Sequence, residues 1–209
     1  MRFEQPLSLL CLVLGAALSW VAPSTAWATG DEVQRLAAEI AILAGDARRL
    51  VQETIPPQER SGLEQRLAGG LASLPLSLRR TGTDASTIPE LRLVVSRGDW
   101  RTVLTMLNKL QRRHPFTAAR LLTTGPARDV VALGESIHRS TCAGCHDSPG
   151  PADQLLPAKN LAAQLRSMPP AEFAARLWLG VRGDNTSALA NPFSAAELAA
   201  LIAWYRQSP

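Results

Sequence analysis

The residues Cys142-Ala143-Gly144-Cys145-His146 are the part of this chain whose types and spacing predict a specific chemistry. C-x-x-C-H is the attachment signature of a c-type haem. Two thiols three residues apart lie on one side of a helical turn, where they can form thioethers with the two vinyl groups on one porphyrin edge. The adjacent imidazole is then placed to bind the iron from beneath the ring. The motif therefore predicts one covalent haem c, with His146 as the proximal iron ligand.

Three other chemistries of the motif are open on the sequence alone. A thioredoxin-like redox pair would need a βαβ context, and no strand pattern surrounds the cysteines. A zinc site would need further ligands, but the spacing of His114 and His138 is wrong for a C₂H₂ site. A structural disulfide between Cys142 and Cys145 would leave His146 unexplained. Haem attachment is the interpretation that uses all three residues.

The first 28 residues predict a signal peptide rather than a part of the fold. Arg2 precedes a nearly unbroken apolar run from Leu7 to Val21, and residues 26–28 (Ala-Trp-Ala) match the small-x-small rule for cleavage. The alternative is an uncleaved membrane anchor, although the run is short for a membrane span. We therefore expect a periplasmic or secreted protein with no membrane span after cleavage.

The composition predicts a folded chain, because 46% of the 209 residues are hydrophobic and only 19% are charged. The net charge of +4 does not indicate a nucleic-acid partner. Basic pairs such as Arg48-Arg49 and Arg112-Arg113 are scattered along the chain, and no run of five or more like charges occurs. These pairs are expected to lie on solvated helix faces, and no nucleic-acid partner is predicted.

Residues 126–209 resemble a class I cytochrome c domain. Gly134 lies eight residues before the first cysteine of the motif, where such domains have a glycine that lets the last helix cross closely. Residues 198–206, LAALIAWYR, are similar to the family's closing helix. The resemblance implies that an aromatic residue of this helix, Trp204 or Tyr205, packs near Gly134.

The resemblance also implies how the imidazole of His146 is oriented. In the family, the carbonyl of a proline that follows the haem motif binds the other ring nitrogen of the proximal histidine. Pro157 is the residue that best corresponds to this proline, and Pro149 and Pro151 compete with it for the same role. We therefore expect a proline carbonyl at the second nitrogen of the ring.

Local signals in residues 126–209 predict three helices around the motif. Pro126 and Pro170 can each begin a helix, and the first of these has a periodic apolar face. That face consists of Val130, Leu133 and Ile137. Ser194 and Glu197 form a capping box that begins the closing helix. The predicted fold is therefore all-α, with a small class I cytochrome c-like domain after a helical region.

The sequence departs from the family pattern at the position of the sixth iron ligand. A class I domain usually supplies a methionine from the loop before the closing helix, and residues 183–191 contain none. Met168 is the best candidate in the sequence, and a thioether ligand would raise the haem potential. The alternative for Met168 is packing against the haem or the core.

Other arrangements of the distal side are also open. His138 lies four residues before Cys142 and is expected to be a core residue over the haem edge. His114 or Met106 would have to reach over from the preceding helices. A five-coordinate iron would favour the binding of small gases or peroxide over plain electron transfer.

Residues 29–125 predict a helical, bundle-like region of unknown role. Apolar residues recur in it at helical spacing, in two stripes. The first stripe consists of Val33, Leu36, Ile40, Leu43, Ala47, Leu50 and Val51, and the second of Leu63, Leu67, Leu71, Leu74 and Leu78. Mutual burial of these stripes is favoured over a partner-binding surface. Asp99 is the expected N-cap of a later helix. The link at residues 123–126 is short, so the two regions are expected to touch.

The sequence as a whole predicts a periplasmic monohaem c-type cytochrome that transfers single electrons, either alone or as a subunit of a larger redox complex. Its expected partners are redox proteins. The extra helical region favours the subunit, because a plain carrier needs only the haem domain. The alternative is an open-site haem protein that acts as a peroxidase or small-gas sensor. An electron carrier is favoured over a stand-alone catalyst, and no catalytic residue is predicted.

Overall fold

The computed structural model describes residues 26–52, 54–125, 127–148, 158–180 and 192–208, with side chains from residue 31 onwards. The regular structure of these residues is helical throughout, so the predicted all-α class is confirmed. In chain order the helices are α1 (Ala26–Leu50), α2 (Pro57–Arg80), α3 (Ile88–Ser96), α4 (Trp100–Arg113), α5 (Ala119–Leu122), α6 (Arg128–Ile137), α7 (Ala143–His146), α8 (Leu161–Ser167), α9 (Pro170–Leu179) and α10 (Ala195–Tyr205). A π-helical turn, His138–Cys142, joins α6 to α7.

Several predicted features lie outside the described residues: most of the signal peptide, four prolines and the loop before the closing helix. These are residues 1–25, Pro126, Pro149, Pro151, Pro157 and 181–191. Because α1 begins at Ala26, the predicted cleavage after Ala28 falls in its first turn. None of the helices in the described part of the chain combines the length and apolar composition needed to cross a membrane.

Helices α1 to α4 share one hydrophobic core, in which the two predicted stripes bury each other. All five leucines of the α2 stripe are at most 1% exposed. On α1 the buried stripe begins at Leu36, because Val33, one turn earlier, is 42% exposed. Asp99 caps α4 as predicted, by accepting a hydrogen bond from the backbone N–H of Thr102. The mutual burial of the stripes is therefore confirmed.

Helix α1 packs against both parts of the chain. One of its faces contacts α2 and α4, and another contacts α9. Toward α9 it presents Ala38, Ala41 and Ile42, which form a buried cluster with Ala175. A helix that is apolar on more than one face is buried on more than one side. The contact that the short link predicts between the two regions is confirmed.

A buried cluster of charges joins α1, α2 and α9 at this interface. Asp46 is fully buried and accepts hydrogen bonds from the guanidinium of Arg66 at 2.6 and 2.7 Å. Arg176 donates to Asp46 at 2.7 Å and to Glu172 at 2.8 Å. Arg48 donates to the other oxygen of Glu172 at 2.7 Å. Each buried carboxylate thus has charged hydrogen-bond partners, which is the condition under which proteins tolerate buried charge.

Helix α6 crosses α10 at Gly134, where the two backbones are in contact. A Cβ atom at this position would overlap the carbonyl oxygen of Ala200 and lie 2.9 Å from Cβ of Trp204. A residue without a side chain is therefore required for this crossing. The predicted close approach at Gly134, with Trp204 beside it, is confirmed. The crossing places the π-helical turn next to the end of α10.

The predicted apolar face of α6 is wrong at Leu133, which is 45% exposed. The contact with α10 is centred on Gly134, so Ile137 and His138, three and four residues further along, are the buried residues. Leu133 lies about 100° around the helix from Gly134 and falls outside this contact. A glycine adds no apolar side chain to the pattern, so the periodicity did not reveal the face that it defines.

Local capping signals determine where the last two helices begin and end. Pro170 is the first residue of α9, which ends before Gly180 at φ 69°, a left-handed conformation that favours glycine. The predicted capping box of α10 is confirmed: the Ser194 side chain accepts from the N–H of Glu197, and the Glu197 carboxylate accepts from the N–H of Ser194. Both helices pack into the second hydrophobic core, which surrounds Phe173 and Tyr205.

Candidate functional site

The C-x-x-C-H motif begins within the π-helical turn that follows α6. The first cysteine is the last residue of the π-helical turn, and the histidine is the last residue of α7. Such π-helical turns occur frequently at functional sites. Cys142 is half-buried, Cys145 is exposed, and both are free thiols. The three predicted residues thus lie on one short segment, in which the thiol of Cys145 is exposed and that of Cys142 is half-buried.

The imidazole of His146 is held by a backbone carbonyl. Its Nδ1 donates a hydrogen bond of 2.7 Å to the carbonyl oxygen of Lys159. A carbonyl oxygen can only accept, so the ring proton lies on Nδ1 and the lone pair of a neutral ring lies on Nε2. This is the tautomer that a metal-binding histidine needs, because the hydrogen bond at one nitrogen sets the proton and orientation for the other.

The predicted partner of this ring is wrong, because the carbonyl belongs to Lys159 and not to Pro157. Lys159 directly precedes Asn160, whose side chain accepts from the N–H of Ala163 and caps α8. The start of α8 therefore sets the position of the peptide group that faces His146. No sequence signal marks this lysine, because the interaction uses its backbone oxygen.

A second network surrounds the first cysteine. His138 is 3% exposed, and its Nε2 donates to the carboxylate of Asp147 at 2.9 Å. Its Nδ1 shares a hydrogen bond of 3.0 Å with the hydroxyl of Tyr205 on α10, which also hydrogen-bonds the Cys142 thiol. The expectation that His138 is a core residue is confirmed. The network was not predicted, because its members meet only where α6 crosses α10.

The surroundings of the Cys142 thiol and the Tyr205 hydroxyl keep both groups in their neutral forms. Burial raises the pKa of the Cys142 thiol, and the negative charge of Asp147 adds to the rise, while the hydrogen bond between Cys142 and Tyr205 opposes it. Burial likewise raises the pKa of the Tyr205 hydroxyl, with a further contribution from Cys142. Cys142 is therefore a protonated thiol in this structure, and Tyr205 is a protonated phenol.

The three distal-side candidates lie in different surroundings. Met168 is half-buried on extended backbone between α8 and α9, and it packs against the core that contains Tyr205. Met106 packs against the separate core of α1 to α4. His114 lies at the C-terminal end of α4, where burial, together with the charge of Arg113, lowers its pKa. Of the three candidates, Met168 is thus the one that shares a core with Tyr205. A packed position of this kind is also what the alternative for Met168, packing against the core, predicts.

A cavity of about 460 Å³ lies beside the motif. Its lining includes His138, Asp147, Trp204 and Tyr205. Within the described ranges, no three histidine, cysteine or acidic side chains are grouped as in a metal site built from protein ligands alone. The described residues also contain no strand, so they lack the βαβ context that a thioredoxin-like pair requires.

Comparison with known proteins finds no relative. No protein-family model matches the chain, and neither a curated protein nor a solved structure is significantly similar to it. Function is therefore argued from the motif and the contacts described above.

Proposed function

We propose that this protein is an exported monohaem c-type cytochrome that transfers single electrons, with residues 126–209 as a class I-like haem domain. The observation that carries the proposal is the hydrogen bond from His146 Nδ1 to the Lys159 carbonyl. It leaves the Nε2 lone pair of the histidine in a C-x-x-C-H motif available to bind iron.

The donor set of the site fits a covalent haem. Two free thiols, Cys142 and Cys145, lie at the two ends of the motif's first turn, and one of them is exposed. Their proposed role is to form the two thioethers, and that of His146 is to supply the proximal nitrogen. When bound, haem iron supplies reversible one-electron chemistry. The same arrangement suits an oxidising compartment, where a thioether, unlike a pair of free thiols, cannot form a disulfide.

The surrounding residues hold two of the three attachment groups, His146 and Cys142, in place. The Lys159 carbonyl orients the imidazole and increases its electron donation, because a hydrogen bond at Nδ1 makes the ring more basic at Nε2. The Tyr205 hydroxyl, which is itself hydrogen-bonded to the buried His138, contacts the side chain of Cys142. Gly134 lets α10 approach closely enough to supply Tyr205. Each contact limits the rotamers of an attachment group before any cofactor is present.

Covalent attachment is the direct test of this proposal. We expect the chain, exported in a host with the c-type attachment machinery, to gain the mass of one haem. The double variant Cys142→Ser/Cys145→Ser should carry no covalent haem, since it has no thiol at either position. His114→Gln is the matched control, because it removes a histidine at the end of α4 and should retain full haem loading. An exported wild-type chain without added porphyrin mass would contradict the proposal.

Met168 remains the proposed distal ligand, because it is the methionine that shares a core with Tyr205. We expect Met168→Ala to lose the methionine–iron charge-transfer band and to have a lower reduction potential, since a thioether ligand raises the potential. Absorption spectra and redox titration of the haem-loaded variant beside the wild type provide the measurement. Unchanged axial ligation would assign Met168 to packing alone. High-spin features that respond to carbon monoxide in the wild type would instead favour the gas- or peroxide-binding alternative.

The proposed setting is the periplasm or the cell exterior, with another redox protein as partner. The signal peptide predicted for residues 1–28 and the proposed thioether-bound cofactor both fit this setting. The proposal favours the subunit version, because a plain carrier needs only the haem domain, whereas here a helical region packs against that domain through α1 and α9.

A further inference from the structure

Lys159 links the proximal histidine to the N-terminal helices. Its carbonyl accepts the hydrogen bond from His146, while its ammonium donates at 2.8 Å to the carboxylate of Glu59. Glu59 lies in the first turn of α2, one hundred residues earlier in the chain. The same carboxylate oxygen pairs with Arg49 of α1. One residue thus contacts the proposed iron ligand through its backbone and the helical region through its side chain.

Several contacts restrict the position of the Lys159 carbonyl. The Glu59 side chain is 13% exposed and the Lys159 side chain is 39% exposed, so the ion pair between them is partly shielded from water. On the other side, the amide of Gln164 donates to the same carbonyl at 3.4 Å, and Asn160 caps α8. The peptide group that faces His146 therefore lies between a helix start and an ion pair.

We infer that Glu59 is a positioning residue for the proximal histidine, through which the N-terminal helical region lowers the reduction potential of the haem. The inference rests on the proposed function. A firmly placed carbonyl strengthens the hydrogen bond at Nδ1 and with it the electron donation of Nε2, which stabilises the ferric state. Loss of the ion pair lets the carbonyl move, weakens that hydrogen bond and raises the potential.

Three variants separate positioning from a direct effect of charge on the potential. Glu59→Gln removes a negative charge, Lys159→Met removes a positive charge but keeps the backbone carbonyl, and the double variant leaves the net charge unchanged. If Glu59 acts by positioning, all three variants should have a higher reduction potential than the wild type. The rise in the double variant should then be no larger than the larger of the rises in the two single variants. A direct charge effect predicts a rise for Glu59→Gln, a fall for Lys159→Met, and near cancellation in the double variant.

Redox titration of the haem-loaded protein is therefore combined with peptide-level hydrogen exchange of residues 158–165 in the same preparations. We expect exchange in this segment to be about two- to five-fold faster in the three variants, as suits a partly exposed ion pair. Lys109→Met, at the only other lysine of the chain, and Glu64→Gln, on the same helix as Glu59, should match the wild type in both measurements.

The outcomes distinguish this inference from the proposed function. Shifts of opposite sign in the two single variants, or an unchanged potential in the double variant, would overturn the positioning role and leave the cytochrome assignment intact. Absence of covalent haem from the wild type would remove both. If one single variant does not fold, the other single variant and the double variant still decide between positioning and charge.

Discussion

Replacing Asp46 with asparagine is expected to lower the free energy of unfolding by about 3 kcal/mol, because it leaves two arginines beside a buried neutral group. Asp46 is fully buried and accepts hydrogen bonds from Arg66 and Arg176, which come from the two regions of the chain. Urea denaturation of the variant beside the wild type measures the loss. Asp31→Asn is the matched control, since Asp31 is 59% exposed, pairs only with Arg35 in the described structure, and should change stability by about 0.5 kcal/mol or less.

The contribution of Asp46 should also depend on pH in one direction. Burial acts to raise its pKa, but the charges and hydrogen bonds of Arg176 and Arg66 outweigh burial and lower it overall. A carboxylate whose pKa is lower in the folded state stabilises the fold above its unfolded pKa, which is about 3.9. This stabilisation is lost as the pH falls through the folded pKa. The gap in stability between wild type and Asp46→Asn should therefore be full at pH 6 and narrow below about pH 4. A gap that widened in acid would contradict the assigned direction.

Gly134→Ala should destabilise the protein by about 2–3 kcal/mol, since the added methyl group overpacks a contact between two helix backbones. Its Cβ would overlap the carbonyl oxygen of Ala200, and backbone cannot move aside as a flexible side chain can. The same change should reduce covalent haem loading, because α10 carries the Tyr205 hydroxyl that contacts Cys142. Thermal unfolding of the variant and the haem content per chain are the two measurements.

The matched control for this change is Gly69→Ala. Gly69 lies inside α2 with no atom within 4 Å of the position of an added Cβ. Alanine is a better helix former than glycine, so this variant should gain about 0.5–1 kcal/mol. If Gly134→Ala were as stable as Gly69→Ala, the close crossing of α6 and α10 would not exist in solution.

Much of the fold could be predicted from the sequence because its signals act over a few residues. The leucine stripe of α2, the Asp99 cap and the Ser194–Glu197 capping box each depend on positions three or four residues apart. Within one helix this spacing determines which side chains meet. The close approach at Gly134 was also predicted, but from the resemblance to a known family rather than from local spacing, and a Cβ there would have no room. The prediction failed at Leu133, where the buried face depends on the approach of α10 and not on the periodicity of α6.

The sequence by itself determined the all-α class, most of the helices and the C-x-x-C-H motif, because these follow from residue type and local spacing. Only the tertiary structure decided which carbonyl faces His146, which residue supports that carbonyl, and how Asp46 holds the two regions together. The physical reason is that every residue has the same backbone carbonyl, so the type of a residue does not reveal whether its carbonyl will face His146. Ion pairs such as Glu59–Lys159 and Asp46–Arg176 also join positions at least one hundred residues apart, which meet only after the helices have packed.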